Sequence, residues 1–346
     1  MASVRVATYH TDLRRDGPGL LLRDILSGRD PQVEALAQVV ATLAADVIVL
    51  QRVDHDAGLV AAHALRDAIG AAGWYYPHVF ARPPNSGVPT GLDMDGDRRL
   101  GRARDAQGFG RFRGAGGMLI LSRHPIAKDE VRDFTGLLWR DLPQAQLPRR
   151  DGAPFPSAEA QAVQRLSSVA HWVVPVDLPA GRISLLTWHA AAPSFEGRAR
   201  QNTLRNHDET RLWSLVLEGW RGPVPGHPVV LGVANVDPED GSGMRGALDD
   251  LIRAPQVQPL APQGHAGAAT VDWSGLGLGQ RRVSYILPAA DLRVAASGVF
   301  WPAPDDPMAG PVSRASRHRP VWADLVLPAG ADAPPPAPAP DPAESR

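Results

Sequence analysis

Hydrophobic and polar positions change period repeatedly along this chain. Residues 4–9 alternate apolar and polar in the manner of a half-buried strand. From Val33 the apolar residues Leu36, Ala37, Val40, Leu43 and Ala44 recur at helical spacing. Asp30 supplies an N-cap for them, and Pro31 suits the first helical position. The unbroken run 47–50 predicts a buried strand, and residues 57–72 read as a second helix. Further strands are expected at 117–122, 166–174, 183–188, 229–233, 283–287 and 321–327, with a helix over 206–220. Strands and helices interleave, so the pattern favours an α/β architecture and looks like two similar halves. No period of 20 to 50 residues suggests a solenoid.

Two stretches break the pattern. Residues 83–117 are crowded with glycine, proline and charge, and a loop that long inside a compact domain is usually functional or disordered. From Pro328 the chain is proline- and alanine-rich without apolar periodicity. The expected organisation is therefore one domain over 1–327 and a disordered tail over 328–346.

Composition narrows the function classes. The 346 residues carry 36 Lys+Arg and 37 Asp+Glu, a formal charge of −1, which fits neither a basic nucleic-acid coat nor an acidic disordered chain. No apolar run approaches the roughly 18 to 20 residues of a membrane-spanning helix, so no transmembrane segment is expected. The opening residues lack a signal-peptide apolar region, and the expected location is cytoplasmic. Cysteine is absent, which removes disulfides, thiolate metal sites and cysteine nucleophiles. Lys128 is the sole lysine, and nearly every cation is an arginine, the side chain suited to bidentate phosphate contacts. No Walker loop, nucleophile elbow, zinc pattern or dinucleotide fingerprint occurs.

Seven short segments, in order, carry a resemblance. They are residues 5–11 (Arg-Val-Ala-Thr-Tyr-His-Thr), 49–52 (Val-Leu-Gln-Arg), 117–125 (Gly-Met-Leu-Ile-Leu-Ser-Arg-His-Pro), 187–189 (Thr-Trp-His), 231–235 (Leu-Gly-Val-Ala-Asn), 282–287 (Arg-Val-Ser-Tyr-Ile-Leu) and 316–321 (Ser-Arg-His-Arg-Pro-Val). Together they resemble the endonuclease/exonuclease/phosphatase family over most of residues 4–327. The resemblance implies the deoxyribonuclease-I-like fold, a four-layer α/β sandwich of two mixed β-sheets flanked by helices. It also implies metal-assisted phosphoester hydrolysis, in which a glutamate and oxygen-bearing neighbours hold a divalent ion, an aspartate activates water, and histidines with an asparagine hold developing charge.

Transferred residue by residue, the family's first-strand asparagine falls on His10 and its metal-binding glutamate on Arg52. Its first histidine is His189. The aspartate of its Gly-Asp-x-Asn motif falls on Val233, and the asparagine of that motif is Asn235. An expected aspartate falls on Ser284, the residue before the final histidine is Arg317, and that histidine is His318. Mg²⁺ and Mn²⁺ want oxygen ligands, and none of the expected carboxylates is kept. A guanidinium beside a dication also disfavours occupancy, by roughly 1 to 4 kcal/mol at 4 Å for each unit of the ion's charge, depending on the dielectric. The resemblance therefore implies a pseudoenzyme or severely weakened phosphoesterase, with His189, Asn235 and His318 as the retained catalytic set and no metal site.

His10, Arg52, Ser284 and Arg317 are then expected to bind a phosphate-containing ligand. An active phosphodiesterase or phosphatase would need Mg²⁺ or Mn²⁺ on substitute carboxylates such as Asp54, Asp56 or Asp237. A third reading takes His10, His189 and His318 as a transition-metal set. A fourth is an arginine-based module for a phosphorylated or nucleic-acid partner, to which Arg98, Arg99, Arg102, Arg104, Arg111 and Arg113 around Phe109 and Phe112 could contribute. Asp93, Asp95 and Asp97 look like a calcium loop but miss the EF-hand spacing, with glycine at position 4 and Arg104 at position 12, so a polar turn is the default. Asn206 is expected to cap its helix, with Asp208 and Glu209 in the first turn. The sequence leaves substrate identity and oligomeric state open.

Overall fold

The computed structural model describes residues 3–239, 241 and 243–328; apart from Pro328, the expected tail lies outside the described residues. In chain order the elements are β1 (Val4–His10), α1 (Leu20–Ser27), α2 (Pro31–Leu43), β2 (Val47–Val53), α3 (Val60–Ala71), β3 (His78–Phe80), β4 (Gly117–Ser122) and β5 (Arg132–Asp133). There follow the pair β6 (Arg149–Arg150) and β7 (Ala153–Pro154), then α4 (Ala158–Val163), β8 (His171–Leu178), β9 (Gly181–His189), α5 (Gln201–Leu217) and β10 (Pro228–Val233). The chain continues through α6 (Gly246–Ile252), the pair β11 (Val271–Trp273) and β12 (Gly279–Arg281), β13 (Ser284–Pro288), β14 (Arg293–Val299), α7 (Ala309–Ala315) and β15 (Val321–Val326).

One sheet runs β14-β15-β1-β2-β4-β3 and the other β13-β10-β9-β8-β5. Each sheet contains one parallel pair, β1 with β2 and β9 with β10, among antiparallel neighbours. A parallel pair needs a crossover. Helices α1 and α2 supply the first and α5 the second, so the two halves legible in the sequence are two β-helix-β units.

Strand alternation assigns the layers. Val4 and Val6 of β1, Val47 and Val49 of β2, Leu185 of β9, Leu231 of β10 and Ile286 of β13 share one core between the sheets. The intervening residues Ala7, Tyr9, Ile48 and Leu50 face α1, α2 and α3. On the other side Leu186, Trp188, Val230 and Tyr285 face α5 and α6. The result is the expected four-layer sandwich. Asp30 caps α2 through its carboxylate, which accepts from Gln32 N and Val33 N at 2.9 Å.

Two expected boundaries move for one reason. Helix α5 starts at Gln201 rather than 206, and the strand expected at 166–174 begins at His171. The polar residues that look like a capped first turn lie instead inside the helix and are buried against the loop before β8. Arg205 donates to the carbonyls of Leu166, Gln107, Arg165 and Ser167. Glu209 accepts from Ser168 N and Ala191 N, and Asp208 from Trp139 Nε1 and Gln146 N. These side chains satisfy backbone groups that would otherwise be buried without partners.

Candidate functional site

The faces lining the inter-sheet core end in polar residues at one edge of the sandwich. Continuing the period-two alternation, His10 closes β1 on the inward face, His189 closes β9 and Ser284 opens β13. Val233 lies in register between the last two, paired with His189 on one side and Ser284 on the other. Gln51 pairs with His10 across β1 and β2 and donates to Thr8 Oγ1 at 2.8 Å. His318 reaches the same point from the segment before β15. That segment is fastened to β11: Asp272 N donates to Arg317 O, Arg319 N donates to Thr270 O, and Thr270 Oγ1 accepts from Ser284 N at 3.1 Å.

The three histidines converge. The His10 ring stacks on His318 with centroids 3.9 Å apart, and His189 meets His10 edge-on at 5.0 Å. All are nearly buried, and the Nδ1 atom of each lacks a hydrogen-bond partner, as does Ser284 Oγ. Burial pushes the His189 and His318 pKa values down to about 3, helped at His189 by Arg52 and His318, and at His318 by Arg317, Arg52 and Arg319 against the opposing pull of Asp12. The same cause, reinforced by His318, His189, Arg52 and Arg317, holds His10 well below its ordinary value. Neutral imidazoles at physiological pH follow.

Arg52 and Arg317 stand beside them, bracketing a carboxylate that the sequence reading passed over. Asp12 Oδ1 lies 3.5 Å from Arg52 Nε, and Asp12 Oδ2 accepts from Arg317 Nε at 3.3 Å. The same oxygen is 3.4 Å from Ser316 Oγ, and Oδ1 is 3.7 Å from His10 Nδ1. Arg14 was also passed over; its stem and that of Arg52 both run past Gly116, and its guanidinium stacks on Phe109 at 5.6 Å. A period-two count from His10 would have flagged Asp12 as a neighbour, but the strand ends before it. Arg52, about one third exposed, has its ion pair with Asp12 rather than with Asp54.

Asp12, Arg52 and Asn235 all have positive φ, 55°, 63° and 55°. Such backbone is uncommon outside glycine and clusters at functional sites. At Arg52 the register of β2 against β4 shifts, so residues 54 and 56 do not continue its face. Asn235 is tied down by Nδ2 donating to Ala190 O, and Asn206 braces the same exits by donating to Ala191 O and Ala234 O.

The candidate substitute acids lie elsewhere in the hydrogen-bond network. Asp54 accepts from Arg15 N and Gly116 N, both at 2.7 Å, and is buried rather than solvated. Asp56 accepts from Val60 N and Ala61 N at the start of α3. Asp237 accepts from Glu239 N and Arg282 N. Among the described residues, the only cluster of three or more histidines, cysteines or acids with ligand atoms within 4.8 Å is Asp93, Asp95 and Asp97. These acids cap their own turn, Asp93 accepting from Asp95, Gly96 and Arg98 amides. The three histidines do not form such a set.

Of the loop arginines expected to grip a partner, Arg102 pairs with Asp97, Arg104 with Asp95 and Arg111 with Asp16. A cleft of about 340 Å³ is lined by Leu21, Leu22, Pro83, Pro84, Val88 and Phe112 together with Asp54 and Arg113, and by none of the three histidines, Arg52 or Arg317. No described helix is long and apolar enough to cross a membrane.

The sequence profile of the Endonuclease/Exonuclease/phosphatase family matches residues 25–318. No curated protein matches this sequence. Among solved structures, an endonuclease/exonuclease/phosphatase from Beutenbergia cavernae is 18% identical with a TM-score of 0.58, covering 96% of this chain and 73% of its own. A family protein from Leptotrichia buccalis is 14% identical with a TM-score of 0.55, covering 94% and 100%. A beta toxin variant from Staphylococcus aureus with bound magnesium ions is 13% identical with a TM-score of 0.50, covering 93% and 99%.

Proposed function

Because this chain belongs to the endonuclease/exonuclease/phosphatase family, we propose that it binds a phosphate-bearing ligand at the histidine–arginine site. On the same reading, metal-dependent hydrolysis is lost or severely weakened. The observation that carries this is the pair of guanidiniums, Arg52 and Arg317, set on either side of Asp12 beside three neutral imidazoles. Arginine recognises phosphate oxygens through paired N–H donors and needs no cation to do so.

The residues present do not fit Mg²⁺ or Mn²⁺. A hard dication wants an octahedral oxygen shell, whereas Asp12 is bracketed by two cations and Val233 offers no oxygen. Asp54, Asp56 and Asp237 each hold backbone amides, which argues against a shifted set of carboxylates. In their place His10, Ser284 and Asn235 offer neutral partners for phosphate oxygens, and Arg52 and Arg317 supply positive charge.

The test is hydrolysis of a phosphodiester, DNA, RNA and inositol phospholipid with Mg²⁺ or Mn²⁺, beside an identically prepared His189→Ala variant. We expect no turnover, or turnover equal in both proteins. Metal-dependent turnover abolished by His189→Ala would overturn the loss of hydrolysis.

A further inference from the structure

His10 differs from the other two imidazoles of the site in having a carboxylate beside it. Of the three, only His10 has a described carboxylate within ion-pair distance, its Nδ1 lying 3.7 Å from Asp12 Oδ1. That nitrogen is enclosed and has no hydrogen-bond partner. An imidazole facing a carboxylate carries its proton on the facing nitrogen, which leaves the lone pair on Nε2. Among the described residues nothing hydrogen-bonds to Nε2, and this end of the ring keeps contact with solvent. Burial, the two neighbouring histidines and the two arginines hold the ring neutral at physiological pH, so the lone pair is available. Arg52 and Arg317 flank the same Asp12 carboxylate at 3.5 and 3.3 Å, so a phosphate bridging the two guanidiniums lies beside His10.

We propose that His10 is the nucleophile of a metal-independent phosphoryl transfer from phosphate monoesters, with Asp12 orienting its ring, an activity that rests on the phosphate-binding reading above. A nucleophilic histidine splits one difficult displacement into two easier ones. Nε2 gives its lone pair to phosphorus as the ester P–O bond breaks, and the leaving oxygen departs with the bonding pair. The N-phosphorylated ring is positive and keeps its proton on Nδ1, where Asp12 balances it. Water then attacks phosphorus, the N–P bond breaks and the pair returns to Nε2. One proton of that water stays on the phosphate formed, and the other goes to the departed oxygen. The sum is monoester plus water giving alcohol plus hydrogen phosphate. In such transfers charge spreads over the three equatorial oxygens, and Arg52 and Arg317 are placed to offset it. A monoester presents three unesterified oxygens to them, a diester only two.

The experiment mixes the full chain with 4-nitrophenyl phosphate in EDTA, follows nitrophenolate release, and quenches in alkali, where phosphohistidine survives, for peptide mass spectrometry. Wild type, His10→Asn and Asp12→Asn are compared as identical preparations, each with its melting temperature; His10→Gln repeats the test if His10→Asn melts early. Calorimetry with phenyl phosphate, with Arg317→Gln as a further variant, reports binding separately. Wild type should turn over in EDTA and carry a phosphoryl group on the peptide containing His10. His10→Asn should lose both, turnover falling by at least roughly 100-fold. Asp12→Asn should slow turnover roughly 100-fold or more, since asparagine favours the wrong imidazole tautomer, without weakening phenyl phosphate binding. Phosphorylation of His189 or His318 instead, turnover that survives loss of His10, or turnover with no phosphoryl group on His10 would overturn the assignment. Binding that Arg317→Gln weakens, with neither turnover nor a phosphorylated histidine in wild type, would overturn the nucleophile and leave the phosphate site standing. Failure of wild type to bind phenyl phosphate or to turn over would overturn both readings.

Discussion

His10 and His318 lie face to face from opposite ends of the described chain, ring centroids 3.9 Å apart and planes inclined by 25°. Two imidazolium rings could not stack this closely beside Arg52 and Arg317 without strong repulsion. The contact therefore requires neutral rings, and burial holds both below their ordinary pKa.

Acid lability follows. For His189, His318 and His171, each brought down to about 3 by burial, the unfolded chain takes up protons near pH 6.5 while the folded chain does not. Stability is thus complete above pH 6.5 and falls as pH drops, by up to roughly 1.4 kcal/mol per pH unit per histidine. His10 acts in the same sense. Glu209 and Asp54, whose pKa values burial raises, push the other way. Urea midpoints measured from pH 7.5 to 5.5 should hold until about pH 6.5 and fall below it, and a flat profile would mean that the cluster protonates freely in the folded state.

Asp54 separates the two readings of the acids after β2. If it only holds the Arg15 and Gly116 amides, Asp54→Ala should cost about 2 to 4 kcal/mol of stability, since two buried donors lose a charged acceptor. Phosphate affinity per folded molecule should change less than threefold. A stable Asp54→Ala protein that had lost a metal-dependent activity would instead make Asp54 a ligand.

The layers were legible because alternation in β1, β2, β9, β10 and β13 is regular, and an alternating apolar strand has one reading. His10, His189, Ser284 and His318 were legible as a group because the family resemblance supplied their order; alternation then explains why they meet. Asp12 and Arg14 were not legible. They lie just past the end of β1, where the period-two rule lapses and a left-handed residue redirects the chain. The buried polar face of α5 misled in the opposite direction, since Arg205, Asn206, Asp208 and Glu209 look solvated in sequence and instead satisfy loop amides and carbonyls.

Arg52 sits at φ 63°, so its backbone would suit glycine better than arginine. Arg52→Gly should leave stability within about 1 kcal/mol of wild type, relief of the left-handed strain offsetting the entropy glycine loses on folding. Affinity for phenyl phosphate should fall roughly 10- to 100-fold, the range of one charged hydrogen-bonding partner. Unchanged affinity would remove Arg52 from the ligand site, and a collapse in stability would make its role structural.

Carboxylates restored at this edge of the sandwich should return metal binding. Val233 lies in register between His189 and Ser284, and Arg52 stands across the inter-sheet gap on the other sheet's strand end. Arg52→Glu alone removes the opposing cation but supplies one carboxylate; Val233→Asp alone buries an acid beside neutral partners and should mainly destabilise, by about 1 to 3 kcal/mol. Joined with Ser284→Asp they present three carboxylates at one edge. The triple variant should gain stability with Mg²⁺, about 2 kcal/mol when the ion exceeds its Kd roughly 30-fold, while wild type and the single variants do not. Thermal melts with and without Mg²⁺ read this directly. A wild-type protein stabilised by Mg²⁺ to the same extent, with the effect lost in Asp12→Asn, would show instead that Asp12 anchors a resident metal, and the arginine-based reading of the site would fall.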